Sequence, residues 1–207
     1  MKGKFITIEG PDGAGKTTQV RKISDYLKSK GFKVLVTREP GGTSLGEKLR
    51  ELLLTLDGES PVPEAEALIY AASRAQLVKK VIKPALESDF IILCDRFVDS
   101  SLAYQGWARG LGINQLADIN GWFLKDIWPD LTIVLDIDPV QSIKRLSGKK
   151  DRLESETLDF HKKVREGFLK LKNMYPDRIK VVDASQSSQQ IFKTILFELQ
   201  KSGIINM

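Results

Sequence analysis

The stretch IEGPDGAGKTTQV, residues 8–20, places three glycines and a proline in one six-residue turn, then sets a lysine and two threonines where a helical pattern begins. It fits G-x-x-x-x-G-K-[ST], with Gly10, Gly15, Lys16 and Thr17 at the fixed positions. Residues 4–8 before it read as a short buried strand, and Val20, Ile23 and Leu27 after it recur at helical spacing. Glycines let the backbone take positive φ and approach a phosphate closely. Successive N–H groups then form an anion nest, and the helix start adds its unpaired N–H groups and positive dipole end. Lys16 is expected at the β- and γ-phosphates and the Thr17 hydroxyl on Mg²⁺. A plain glycine turn capping a helix is the competing reading, but capping alone does not call for this spacing. The stretch therefore predicts a site for a nucleoside triphosphate.

The rest of the chain bounds the reading. At 207 residues it is expected to form one domain with a full core. The net charge of +5 suits small anionic ligands. Basic and aromatic residues are not interleaved, so no nucleic-acid partner is expected. The single cysteine, Cys94, excludes an internal disulfide and ends an apolar run as a small buried hydrophobe. No run approaches membrane-span length, and residues 1–7 lack a signal-peptide apolar region. A reducing cytoplasm and no membrane association are the expectation.

Five apolar, β-rich runs stand out at 5–8, 34–37, 90–94, 131–135 and 179–182. Between them lie helical patterns: Leu49, Leu52 and Leu53, then 64–86, 116–127, 140–146, 158–174 and 191–199. This alternation predicts an α/β protein with a five-stranded parallel sheet flanked by helices in three layers. Strands buried on both faces read as near-continuous apolar runs, as these do. Ligands gather at the carboxyl ends of such strands. There the sequence places the glycine loop, Arg38-Glu39-Pro40-Gly41-Gly42, Asp95-Arg96-Phe97, Asp136-Ile137-Asp138-Pro139 and Asp183-Ala184-Ser185. The segment KRLSGKKDR, residues 144–152, reads as a short basic flap.

Asp95 closes its strand in the position of a metal-orienting acid, and so does Asp136, which reads equally as a helix cap. Arg38 and Arg96 sit at adjacent rims of the sheet, where guanidinium forks suit a second phosphate. Arg145, Lys149, Lys150 and Arg152 on the flap supply cations for a phosphoryl group in transit. The one histidine, His161, falls in an amphipathic pattern and reads as a packing or surface residue. A phosphate monoester acceptor is largely ionised at pH 7 and needs no general base.

Taken in order, the elements EGPDGAGKTTQ, TREPGGTSLGEKLRELLL, YAASRAQLV, CDRFVDSSLAYQG, PDLTIVLDIDP, DRLESE and VVDAS closely resemble the thymidylate kinase family. The resemblance implies a P-loop NTPase fold with a short basic lid near 145–155. It also implies transfer from ATP to dTMP with Mg²⁺, and a homodimer. ATP is expected over Gly10, Pro11, Asp12, Gly13, Ala14, Gly15, Lys16, Thr17 and Thr18, with Arg145 stacking near adenine. Asp12 matches the acid at the acceptor's 3′-hydroxyl, and Arg38 and Arg96 match the acceptor-phosphate contacts. Tyr70 falls where an aromatic ring stacks on thymine, and Arg74 where an arginine bonds the base. Ser101 lies at the base edge, Tyr104 under the deoxyribose, and Gln105 beside it. Lys16, Arg96 and Arg152 are the expected catalytic cations, with Lys149 or Lys150 as alternatives to Arg152. Thr17 and Asp95 are the expected metal contacts. Some members carry arginine where this chain has Gly13. Kinases of other small acceptors and nucleotide-driven switches compete with this reading, but no N-K-x-D guanine-reading element is present.

Overall fold

The computed structural model describes residues 3–56, 58–146 and 151–205. Its centre is a parallel sheet of five strands: β1 (Lys4–Glu9), β2 (Val34–Arg38), β3 (Ile91–Asp95), β4 (Leu131–Asp136) and β5 (Ile179–Asp183). The order is β2-β3-β1-β4-β5, with Ile8 paired to Asp95 and to Ile133 at the carboxyl end of β1. All five strands coincide with the apolar runs of the sequence. The sheet reverses its direction of growth at β1, so the loops after β1 and β3 open on a common crevice.

Side chains alternate across the sheet. Ile6 and Ile8 face α1 (Lys16–Ser29) and α9 (Ser188–Lys201), where Val20, Ile23, Leu27, Ile191 and Ile195 complete one apolar layer. Phe5 faces the other side, packing edge-on against Phe97 at 4.8 Å between centroids. That layer includes Leu77 of α3 (Pro63–Leu77), Leu116 of α6 (Ile113–Leu124) and Phe168 of α8 (Leu158–Met174).

Two helices depart from simple periodicity. The expected helix over 64–86 begins as α3, widens into a π-helical turn at Val78–Ile82, and ends as α4 (Lys83–Glu87). Pro84 lies just beyond, where its missing N–H would interrupt an α-helical ladder. The second was not expected. Helix α5 (Val98–Ser101) runs into a π-helical segment, Leu102–Ala108, that packs against α8.

Caps fix the remaining ends. Thr43 accepts from Gly46 N at the start of α2 (Ser44–Leu54), and Thr157 from Phe160 N at the start of α8. Asp138 caps α7 (Pro139–Arg145) by accepting from Val140 N at 2.9 Å. The capping role weighed for Asp136 therefore belongs to Asp138. Among the described residues, no helix is long and apolar enough to cross a membrane.

Candidate active site

Helix α1 begins without a side-chain cap, at Gly15 with φ 93°. Its first N–H groups are left for a ligand, as an anion site requires. Gly13, at φ 79°, could not carry a side chain without colliding with the Ser142 carbonyl of α7. The Ser142 hydroxyl also donates to the Asp12 carbonyl, so α7 lies directly on the loop. Lys16 Nζ donates to the Pro11 carbonyl at 2.8 Å and lies 3.6 Å from Asp12 Oδ1. Burial, with Arg96 nearby, lowers its pKa.

Two cavities open beside this loop. The loop-side cavity is lined by Asp12, Gly13, Gly15, Lys16, Thr17, Thr18, Arg38, Asp95, Arg96 and Arg145, anticipated in the sequence, and by Glu39, Arg50 and Glu154, which were not. Gly10, Pro11 and Ala14 shape the loop from behind, with Ala14 in the core. The other cavity lies against Tyr70, Arg74, Arg96, Ser101, Tyr104 and Gln105. Tyr70 and Arg74, four residues apart on α3, present the same face to it. Asp12, Glu39, Arg50 and Arg96 belong to both linings and form the shared wall.

Arg96 is the centre of that wall. It occupies the left-handed region at φ 67°, uncommon for a side chain this large. Its Nη1 donates to Gly10 O and to Ser100 Oγ, both at 3.0 Å. Its Nη2 pairs with Asp12 Oδ1 and reaches the Tyr104 hydroxyl at 3.2 Å. Burial alone would raise the Asp12 pKa, but Arg96 and Lys16 hold it well below the carboxylate range. Glu9, fully buried, accepts from Phe97 N at 2.7 Å and pairs with Ser100 Oγ at 2.5 Å. It thereby pins the chain on the far side of the Arg96 turn. Burial and the neighbouring Asp99 carboxylate push Glu9 up to about 8.

The two candidate metal acids part company here. Thr17 Oγ1 donates to Asp95 Oδ2 at 2.6 Å. Asp136 is not in the lining of the loop-side cavity and holds Arg165 with both oxygens, at 2.6 and 2.8 Å. Arg38 pairs with Glu47 at 2.9 Å on the rim, and Arg145 Nη1 donates to Ala184 O at 3.0 Å.

Arg74 is 1% exposed and already engaged: Nε donates to Glu39 at 2.8 Å, Nη1 to Asn120 at 2.7 Å and Nη2 to Ser101 Oγ at 3.0 Å. Glu39 Oε1 has no hydrogen-bond partner among the described residues, although Glu39 is buried at the shared wall.

Arg152 stands elsewhere. It is buried, donating from Nε to Leu53 O at 2.8 Å and from Nη2 to Glu66 Oε2 at 2.5 Å. In this conformation it is tied to α2 and α3 and lines neither cavity. The alternative cations Lys149 and Lys150 lie outside the described residues. His161 is a packing residue, 4% exposed, with its ring 5.9 Å from that of Phe160.

A profile of the thymidylate kinase family matches residues 8–195. The chain belongs to the thymidylate kinase family. It is 50% identical over 198 residues to the thymidylate kinase of Caldanaerobacter subterraneus subsp. tengcongensis, covering 95% of this chain and 94% of that protein. It is 48% identical over 196 residues to a Geobacillus thymidylate kinase, covering 93% of each. The crystal structure of thymidylate kinase from Ehrlichia chaffeensis superposes with a TM-score of 0.78 at 32% identity, over 96% of this chain and 99% of that one. This family member thus has the fold of a P-loop phosphotransferase, with the strand order and crevice described above.

Sequence reasoning missed Glu9, Glu39, Glu66 and Arg50. Glu9 carried a signal, being an acid that closes an apolar strand and must find a partner. Arg50 lies in the helical pattern of Leu49, Leu52 and Leu53 and donates from Nη1 to Pro40 O at 3.0 Å. Nothing in its spacing indicates that it faces both cavities.

Proposed function

We propose that this chain moves the γ-phosphoryl group of ATP directly to dTMP, giving ADP and dTDP, as one kinase domain in the cytoplasm. The observation that carries the reading is the pair of cavities sharing Arg96 and Asp12 as a common wall. ATP phosphates take the loop N–H groups and Lys16, with the adenine end toward Arg145. The dTMP base enters between Tyr70 and Arg74, its sugar over Tyr104, and its phosphate meets Arg96, Arg38 and Arg50.

The donor set suits Mg²⁺. Thr17 and Asp95 offer two hard oxygens beside the loop. No group of three or more acids, histidines or cysteines able to cage a metal is present among the described residues. Mg²⁺ commonly takes one or two protein oxygens and completes its shell with phosphates and water. When bound there, it neutralises charge on the β- and γ-phosphates.

The chain's own groups do the rest. Lys16 screens the γ-phosphoryl oxygens, and Arg96 presents the acceptor phosphate in line. Asp12, kept ionised by Arg96 and Lys16, accepts from the sugar hydroxyl rather than donating. The flap excludes water, so transfer outruns hydrolysis. A homodimer is supported by exposed apolar side chains on neighbouring helices, Leu68 on α3 with Ile119 and Trp122 on α6. ADP release followed with ATP, Mg²⁺ and a panel of monophosphates tests the reading. Turnover dependent on dTMP, with little hydrolysis in its absence, is expected. ATP hydrolysis indifferent to dTMP would overturn it.

A further inference from the structure

Glu66 is fully buried at the back of the base cavity, on the same helix as Tyr70 and Arg74. Four donors converge on its two oxygens. Gln105 Nε2 and Arg109 Nε reach Oε1 at 2.7 and 3.4 Å, and Arg109 Nη2 and Arg152 Nη2 reach Oε2 at 3.3 and 2.5 Å. A carboxylate has about four lone-pair sites, so Glu66 is saturated. Facing two guanidiniums, it offers only acceptors. The carboxamide of Gln105 has two nearly isosteric lobes, and its orientation follows from the partner each lobe finds. Here the N–H₂ lobe must face Glu66. That leaves Oε1, which accepts no hydrogen bond from the described residues, on a side chain that lines the cavity.

We infer that Glu66 is a positioning residue for base selection: it locks Gln105 so that the amide presents an acceptor, not a donor, to the acceptor base. The inference rests on the dTMP reading above. A pyrimidine with N–H at ring position 3 satisfies that acceptor. One with a bare nitrogen there, as in cytosine, meets it lone pair to lone pair. Burying an unmatched polar group in this way is strongly disfavoured.

The experiment compares kcat/KM for dTMP with that for its 3-deaza analogue, which keeps the outline and lacks the N–H donor. The wild-type chain should prefer dTMP by about tenfold, the worth of one matched hydrogen bond. Gln105→Ala should bring the ratio near one. Glu66→Gln should do the same, because a partner amide accepts either lobe, and the loss for dTMP should appear mainly in KM. Glu66→Asp keeps the charge opposite Arg109 and Arg152 and serves if Glu66→Gln does not fold; its shorter reach should also lower the ratio. A purely structural Glu66 would leave the ratio alone. A wild-type ratio retained by folded Glu66 variants but erased by Gln105→Ala would overturn the inference, as would a ratio that Gln105→Ala leaves unchanged. Absence of any dTMP turnover by the wild-type chain is a different failure, that of the underlying dTMP reading.

Discussion

Thr17 Oγ1 and Asp95 Oδ2 meet at 2.6 Å, so the first turn of α1 and the end of β3 present their oxygens together on the loop-side cavity. Asp136, equally placed at a strand end, is committed to Arg165. Asp95→Asn should therefore raise the Mg²⁺ concentration needed for half-maximal rate and lower turnover by roughly 100-fold. Asp136→Asn should leave the Mg²⁺ requirement alone and cost stability where α8 is tied to β4. Initial rates across a Mg²⁺ titration separate the two. Equal shifts in both variants would sink the assignment.

Arg96→Ala should lower kcat/KM by about 10²-fold or more while the circular dichroism spectrum stays that of the wild type. Alanine only inherits the Cβ strain that Arg96 already carries at φ 67°, on the order of 1 kcal/mol, so the fold loses nothing further there. Arg96→Gly removes that strain but not the defect, so both variants should show the same kinetics. If glycine restored the rate, the backbone turn rather than the guanidinium would be what matters.

Arg152→Ala should act on stability first. Its removal leaves Glu66 buried with one donor fewer and the Leu53 carbonyl without the Arg152 donor, a loss of roughly 2 kcal/mol. For a chain of this length that is about 5 °C in Tm. Substituting Lys149 or Lys150 should leave the melt unchanged and lower kcat. A fully stable Arg152→Ala chain with a collapsed kcat would return the catalytic role to Arg152.

Glu9 makes stability depend on pH in a definite direction. Its folded pKa, about 8, lies above the ordinary 4.5, so the folded state binds the proton more tightly. The stabilisation is complete below the ordinary value and is lost as pH rises through about 8. Glu39, pushed up to about 7 by burial despite Arg74, works in the same sense. Thermal melts between about pH 6 and pH 9 should show a falling Tm that flattens in Glu9→Gln. Identical slopes in both chains would exclude Glu9 as the source.

The sheet was legible because the central strands β1, β3 and β4 are buried on both faces and so announce themselves as apolar runs, while the edge strands β2 and β5 keep short β-branched runs although they are only partly covered. The phosphate loop was legible because its spacing is set by the ligand. The helix entering at Val98 was not, since buried Asp99, Ser101 and Gln105 interrupt its apolar pattern. These polar residues are engaged by groups far away in the chain: Asp99 by Arg178, Ser101 by Arg74 and Gln105, through its amide nitrogen, by Glu66. Arg152 reads as a flap cation because its neighbours are basic. Its actual partner is 86 residues away and invisible to local spacing. Arg38, Arg96, Tyr70 and Arg74 line the two cavities because strand ends and four-residue spacing fix direction without knowledge of the partner.

Because the wall containing Arg96 is common to both cavities, yet each cavity keeps a lining of its own, neither nucleotide has to leave before the other arrives. The chain has no call to carry the phosphoryl group itself. Double-reciprocal plots at several fixed concentrations of the second nucleotide should intersect rather than run parallel, and no labelled phosphoprotein should accumulate when ATP is supplied alone.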